Sequence, residues 1–167
     1  MSTLIRWDGA AATACVDPLV SIADDEPAPD CDVMISFARF QADGDVLLGQ
    51  DRRVGVRIGP DDAIEALAYD LPRIEVVALV FPKFRDGRAY STAMVLRTRL
   101  GFTGELRAVG EVLLEQAPFM IRCGFDAFEP ADGANAEQWG RAARRFRHVY
   151  QRAADDREPA FVARLAS

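Results

Sequence analysis

The sequence predicts an α/β domain with about four parallel strands and flanking helices, in an open or half-barrel-like sheet that follows an irregular or partly β N-terminal segment. From residue 54 onward, runs of β-branched and aliphatic residues alternate with segments of helical period. The run 74–81 is almost continuously apolar, as in a strand buried on both faces of a parallel sheet. Two copies of the pattern Arg-x-Gly-Phe, at 99–102 and 122–125, lie 23 residues apart and indicate repeated βα units.

The N-terminal part of the chain carries the weaker patterns. Residues 1–31 are predicted to be irregular, with short edge strands at Leu4-Ile5 and 19–22 and an acidic, proline-containing loop at 24–30. Residues 32–40 alternate between two faces and predict a strand, which a turn at 42–45 follows.

The rhythmic part begins with a β-branched strand at 54–58. Gly59-Pro60-Asp61-Asp62 then places a turn glycine, a proline and two acids where a helix starts, and Pro72 marks the end of that helix. After the apolar strand 74–81 and its loop, a helix from Ala89 is closed by Gly101.

The second half of the chain continues the alternation. A short strand at 105–108 leads into a helix from Glu111, which Pro118 is predicted to kink or split. A last short strand follows at 125–129, and a long charged helix is predicted over 136–155. The 167 residues fit one domain, 1–167.

Composition narrows the functional classes. A net charge of −6 disfavours broad nucleic-acid binding and docking on anionic lipid. No targeting segment is visible, and the apolar run 76–81 is far shorter than a membrane helix. The scattered cysteines Cys15, Cys31 and Cys123 and the single histidine, His148, predict neither a metal site nor a disulfide framework. These observations predict a cytoplasmic protein with no membrane or nucleic-acid partner.

Two loops are candidates for ligand binding, because parallel α/β domains bind ligands at the carboxyl ends of their strands. The loop 81–91 combines three aromatics, three cations, a carboxylate, a glycine and a serine, and its helix start favours an anion. The loop 107–111 places an arginine and a glycine before the next helix. The resulting anion-binding candidates are Arg85, Asp86, Gly87, Arg88, Ser91, Arg107 and Gly110. A capped turn with solvated arginines is the competing interpretation.

Several catalytic and cofactor motifs are missing from the sequence. It has no G-x-G-x-x-G after a strand, no Walker loop, no haem-attachment pair and no G-x-S-x-G. No cofactor is evident, and the purified protein is predicted to be colourless and metal-free. The sequence identifies no catalytic residues, and it does not decide whether the protein is an enzyme.

One extended set of residues resembles a known family. The set comprises 81–88, Tyr90-Ser91, Leu96-Arg97, 100–102, 104–108, Gly110, Val112-Leu113, Gln116 and Met120 to Phe125. Together these residues resemble a bacterial domain of unknown function, number nine-three-four in its series, strongly over a family core at 54–130. This chain has Ala89 where the family usually has glycine, and Glu111 and Glu115 where it usually has aspartates.

The resemblance carries an expected function. Members of the family are described as oxidoreductases involved in sulfite reduction. It therefore implies an accessory protein or oxidoreductase of assimilatory sulfate or sulfite reduction, with a small oxyanion as ligand and sulfite reductase or another sulfur-assimilation enzyme as partner. Two alternatives stay open: a non-catalytic adaptor that binds the reductase, and a small enzyme acting on a phosphorylated or sulfated metabolite.

Overall fold

A mixed α/β architecture is seen in the computed structural model, which describes residues 3–165. The strands are β1 (Leu4–Trp7), β2 (Ala12–Cys15), β3 (Val20–Ser21), β4 (Val33–Ser36), β5 (Val54–Ile58), β6 (Val76–Phe81), β7 (Glu105–Gly110) and β8 (Ala127–Phe128). The α-helices are α1 (Phe37–Leu48), α2 (Arg88–Thr98), α3 (Ala117–Arg122), α4 (Ala136–Ala143) and α5 (Ala160–Leu165). None of the helices in this described part has the length and apolarity needed to span a bilayer.

All eight strands belong to one sheet, in the order β2-β1-β8-β7-β6-β5-β4-β3. Strands β3 to β8 follow one another in chain order, and adjacent strands within this group are parallel. Strand β1 is antiparallel to both β8 and β2. The prediction of about four parallel strands is therefore corrected to six parallel strands and an N-terminal antiparallel pair. The short strands predicted at Leu4-Ile5, 19–22 and 125–129 are β1, β3 and β8 of this sheet, whereas β2 lies where the sequence predicted irregular chain.

The sheet is curled rather than flat, as the link between its two edges requires. Strands β2 and β3 lie at opposite edges, yet only residues 16–19 connect them. Five Cα–Cα steps reach about 18 Å when extended. Seven inter-strand spacings of about 4.8 Å would place the edges of a flat sheet roughly 34 Å apart. The edges must approach one another, so the sheet is open but half-barrel-like, and residues 16–19 form a strap across its inner face.

The outer face of the sheet carries the main core. Alternate residues of the central strands, such as Val56, Val77 and Leu106, pack against side chains of α1, α2 and α4 in one buried cluster. The inner face holds a smaller cluster in which Leu19 of the strap contacts residues that include Met34. Placing the helices on one face is what right-handed crossovers between sequential parallel strands produce.

The repeated Arg-x-Gly-Phe loops are joined by one arginine. Both Gly101 and Gly124 adopt positive φ, at 66° and 95°, and end a helix. The Arg97 guanidinium donates to the carbonyl oxygens of Phe102 at 2.7 Å and Gly124 at 3.0 Å, and to Asp126 at 2.8 Å. The sequence echo therefore corresponds to two successive helix-to-strand connections held side by side.

Four predicted elements are corrected by the structure. In place of the helix predicted from Glu111, a 3₁₀ turn begins at Leu114 and α3 follows from Ala117, so Pro118 lies in the first turn of α3 instead of kinking a longer helix. The strand predicted over 32–40 stops at Ser36, whose hydroxyl accepts from the Arg39 N–H at 3.0 Å and starts α1, so the predicted turn at 42–45 lies inside a helix. Between Pro60 and Pro72 the chain forms short 3₁₀ turns instead of an α-helix. The long helix predicted over 136–155 ends at Ala143.

The segment after α4 is held by side chains rather than by helical hydrogen bonds. Arg122 donates to the Gln151 carbonyl oxygen and pairs with Asp155, while Arg157 donates to the Phe146 carbonyl oxygen at 2.5 Å. Trp139 and Tyr150, which a continuous helix over 136–155 would place on one face, are accordingly in different surroundings. Trp139 is fully buried, whereas Tyr150 is exposed.

Candidate functional site

The loop 82–87 lies at the carboxyl end of β6, where the sequence places the candidate site. The end of the neighbouring strand supports it. The Glu111 N–H donates to the Phe81 carbonyl oxygen at 2.7 Å, and the Glu111 carboxylate accepts from the Phe84 N–H at 2.9 Å. Gly110 has φ +93°, and a Cβ there would lie 2.4 Å from the Phe81 carbonyl oxygen. Gly110 therefore permits a close approach of two strand ends that fixes the loop.

Arg88 is paired within the protein rather than free for a ligand. Its guanidinium contacts Asp61 at 2.6 Å and Asp86 at 2.7 Å, and the Asp86 carboxylate also accepts the Arg88 backbone N–H at 3.2 Å. The hydrogen bonds from Arg88 lower the pKa of Asp86. The same two carboxylates raise the pKa of Arg88. An incoming anion would have to displace at least one of them.

Arg107 does not converge with Arg88, contrary to the expectation that both line one anion site. It pairs in register with Ala78 in the middle of β6, and its side chain is 1% exposed on the inner face of the sheet. The guanidinium contacts Asp17 of the strap at 2.5 Å and Glu105 at 2.7 Å. Burial disfavours its charge, but these two carboxylates outweigh the burial and raise the pKa of Arg107. Its observed role is to hold the strap onto the sheet.

An open cavity of about 760 Å³ lies beside the loop 82–87, and only some of the remaining candidates line it. Arg85 and Gly87 line the cavity, whereas Ser91 lies exposed on the second turn of α2 and does not line it. Within residues 3–165, no carboxylate pairs with Arg85. Arg145 lines the same cavity, with its guanidinium carbon 5.7 Å from the centroid of the Phe146 ring. The cavity thus holds two cations that form no ion pair within the described chain, although Glu115 also lines it.

The apolar part of the cavity consists of aromatic and thiol side chains. Its lining includes Phe84, Tyr90, Phe119, Cys123 and Phe146. Burial raises the pKa of the Cys123 thiol and of the Tyr90 phenol, so both groups are protonated at neutral pH. Such a thiol is a poor nucleophile, and the arrangement suits binding of a ligand better than covalent chemistry on it.

The residues in the described portion form no group of three or more His, Cys, Asp or Glu side chains that could hold a metal ion. The model of a family described as bacterial protein of unknown function (DUF934) matches residues 55–161. The chain belongs to this family. No curated protein and no solved structure matches it.

The DUF934 match extends beyond the family core expected at 54–130 and includes α4 and the segment after it. Sequence reasoning missed three groups that line the cavity. Arg145 and Phe146 were assigned to a continuous helix, although residues 138–154 contain five arginines and no acid, which is a detectable signal. Gln116 was not among the anion-binding candidates, yet it is buried, lines the cavity beside Tyr90, and accepts the Leu113 backbone N–H at 2.9 Å.

Proposed function

We propose that this protein is an accessory protein of assimilatory sulfate or sulfite reduction that binds an oxyanion, or an anionic group of a partner enzyme, in the cavity beside Arg85. The pathway comes from what the resemblance to the DUF934 family implies. The binding role comes from the chemistry of the cavity, which joins unpaired cations to an apolar wall at the carboxyl ends of two parallel strands.

One observation carries the proposal: the two arginines of this loop, Arg85 and Arg88, differ in whether a carboxylate pairs with them. Arg88 already contacts two carboxylates, whereas Arg85, three residues earlier, lines the cavity with its charge unanswered among the described residues. Arg85 is therefore the group that an anion can reach without breaking an existing ion pair. A guanidinium offers an oxyanion two parallel N–H donors.

Binding is favoured over catalysis by the protonation of the cavity walls. The raised pKa of Cys123 keeps the thiol neutral, and the raised pKa of Tyr90 keeps the phenol neutral. An adaptor that contacts the reductase, or a protein that holds a sulfur oxyanion, fits these groups. The small enzyme acting on a phosphorylated or sulfated metabolite fits them less well, because it needs an activated nucleophile or a poised base.

The test is thermal unfolding with sulfite, sulfate or phosphate against chloride at matched ionic strength. A ligand at about 100 times its Kd stabilises the folded state by about 2.7 kcal/mol. For a chain of this size that raises Tm by roughly 5–10 °C. The extra shift should disappear in Arg85→Ala and persist in Arg88→Ala.

The second variant is the necessary control, because sulfate and phosphate also stabilise proteins generally by exclusion from their surfaces. An equal response of wild type and Arg85→Ala to the oxyanions would contradict a binding site at Arg85. A response that is lost in Arg88→Ala but kept in Arg85→Ala would place the anion at Arg88 and would also contradict the proposed site.

A further inference from the structure

The segment after α4 gives an acidic protein a basic aromatic surface. The chain carries a net charge of −6, yet residues 144–154, which follow α4, contain four arginines and no carboxylate. Two aromatic side chains in this segment are exposed, Phe146 at 47% and Tyr150 at 90%. Large exposed aromatics beside unpaired cations are unusual on a surface that faces solvent alone and are typical of protein interfaces.

Side chains of this segment connect the proposed anion cavity with a second cavity, and the two form one longer groove. The cavity of about 760 Å³ and a neighbouring one of about 500 Å³ share Phe119 and Phe146, whose ring centroids lie 6.5 Å apart. Arg85 and Arg145 lie along the first cavity, and Arg152 lies along the second. We call this surface the basic aromatic face, defined by Phe84, Arg85, Phe119, Arg145, Phe146, Tyr150 and Arg152.

The cations of the face are available for a partner. In the described chain, Arg85, Arg145 and Arg152 take part in no ion pair. By contrast, the arginines that build the fold, such as Arg97 and Arg107, are bound to carboxylates. A partner that complements this face would offer acidic groups to the unpaired arginines and apolar side chains to the exposed aromatic rings.

We infer that the basic aromatic face binds an extended acidic segment of a partner protein, in which Asp or Glu alternates with apolar side chains. Carboxylates would meet the arginines, and apolar side chains would lie against Phe119 and Phe146. A small oxyanion would fill only the end of the groove at Arg85, so the inference deepens the proposed function by adding a protein partner and shares only that arginine with it. The net charge of −6 disfavours a long nucleic acid, because binding regularly spaced phosphates needs a broad basic surface.

The experiment measures binding of fluorescent dodecapeptides to the full chain by anisotropy. The probe alternates Glu and Asp with Leu and Phe, and its control replaces every acid with Gln or Asn. We expect the acidic probe to bind, the amide control to bind at least about tenfold more weakly, and affinity to fall as salt screens the charges. Arg145→Ala should weaken binding by about five- to tenfold.

Matched variants separate the face from general charge and from folding. Arg141 is also exposed, on α4, but lies outside both cavities, so Arg141→Ala should leave the affinity unchanged. Phe119→Ala removes a ring that is 59% exposed, whereas Tyr69→Ala removes one that is 87% exposed elsewhere. The first should weaken peptide binding and the second should not. Circular dichroism of each variant checks that the fold is kept.

The outcomes distinguish this inference from the proposed function. Peptide binding that depends on Arg145 and Phe119, without any oxyanion response at Arg85, would support the inference about the basic aromatic face. It would contradict the proposed binding of a small oxyanion. Equal binding of the acidic and amide peptides, no binding of either, or equal loss in Arg141→Ala would overturn the inference. Tighter binding of a single-stranded DNA dodecamer or of phosphatidylserine vesicles, with the same variant dependence, would also overturn it.

Discussion

Replacing Arg107 with methionine tests how the N-terminal strap is held on the sheet. The Arg107 side chain is 1% exposed and contacts carboxylates of Asp17, Glu105 and Glu129 at 2.5, 2.7 and 3.4 Å. Methionine keeps much of the volume but leaves three acids without their shared cation. Removing one partner of a buried ion pair typically costs about 3–5 kcal/mol.

The lower end of that range applies here, because the three carboxylate side chains are 31%, 15% and 23% exposed and water can partly resolvate them. We therefore expect a loss of about 3 kcal/mol in the free energy of unfolding. For a chain of this size that lowers Tm by roughly 6–12 °C. Urea unfolding followed by circular dichroism measures the free energy, and a differential scan measures Tm.

The matched control is Arg53→Met. Arg53 pairs with Asp32 at 2.6 Å, but its side chain is 49% exposed, so the loss should be small. If Arg107→Met is no less stable than Arg53→Met, the buried network does not hold the strap. If both variants are equally and strongly destabilised, the loss reflects net charge rather than the contacts of Arg107.

Two further predictions concern pH and backbone strain. Desolvation raises the pKa of Asp126 to about 6, against the lowering effect of Arg97, so stability should fall as pH rises from about 4 to 6. With 41% of the side chain exposed, solvent screening reduces the effect to about 1 kcal/mol, and Asp126→Asn should remove that slope in urea titrations at each pH. Gly110→Ala should cost more than 2 kcal/mol, because φ is +93° and its Cβ would meet the Phe81 carbonyl oxygen at 2.4 Å. Gly101→Ala, at φ +66° with nothing within 4 Å, should cost only about 1 kcal/mol, and equal losses would refute the steric explanation.

The parts of the fold predicted well from sequence are those whose local and tertiary signals agree. The apolar run at 74–81 became the central strand β6, and the helix closed by Gly101 became α2. One prediction failed because a single helix-capping side chain ended the strand and started a helix. Residues 32–40 alternate like a strand, but the Ser36 hydroxyl caps a helix from Phe37. Short strands were predicted at Leu4-Ile5 and 19–22, but no local pattern reports the distant pairing of β1 with β8, in which Ile5 lies opposite Phe128.

The position of the candidate loop in the fold was predicted, but the contacts of its arginines were not. The loop 82–87 does lie at the carboxyl end of a parallel strand, as the position of the motif indicates. The choice among its arginines depends on which acids fold back onto them, and Asp61 lies 27 residues from Arg88 in sequence. Arg107 was misplaced because strand alternation puts it on the face opposite Leu106, toward the strap.

Growth of a deletion strain decides whether this cavity works in sulfur assimilation. On sulfate as sole sulfur source, we expect the strain to grow poorly, and wild-type and Arg88→Ala genes to restore growth. The Arg85→Ala gene should fail to restore it, although the protein accumulates to the same level. Cysteine should rescue every strain. Normal growth of the deletion strain on sulfate, or full restoration by Arg85→Ala, would contradict a role for the Arg85 cavity in this pathway.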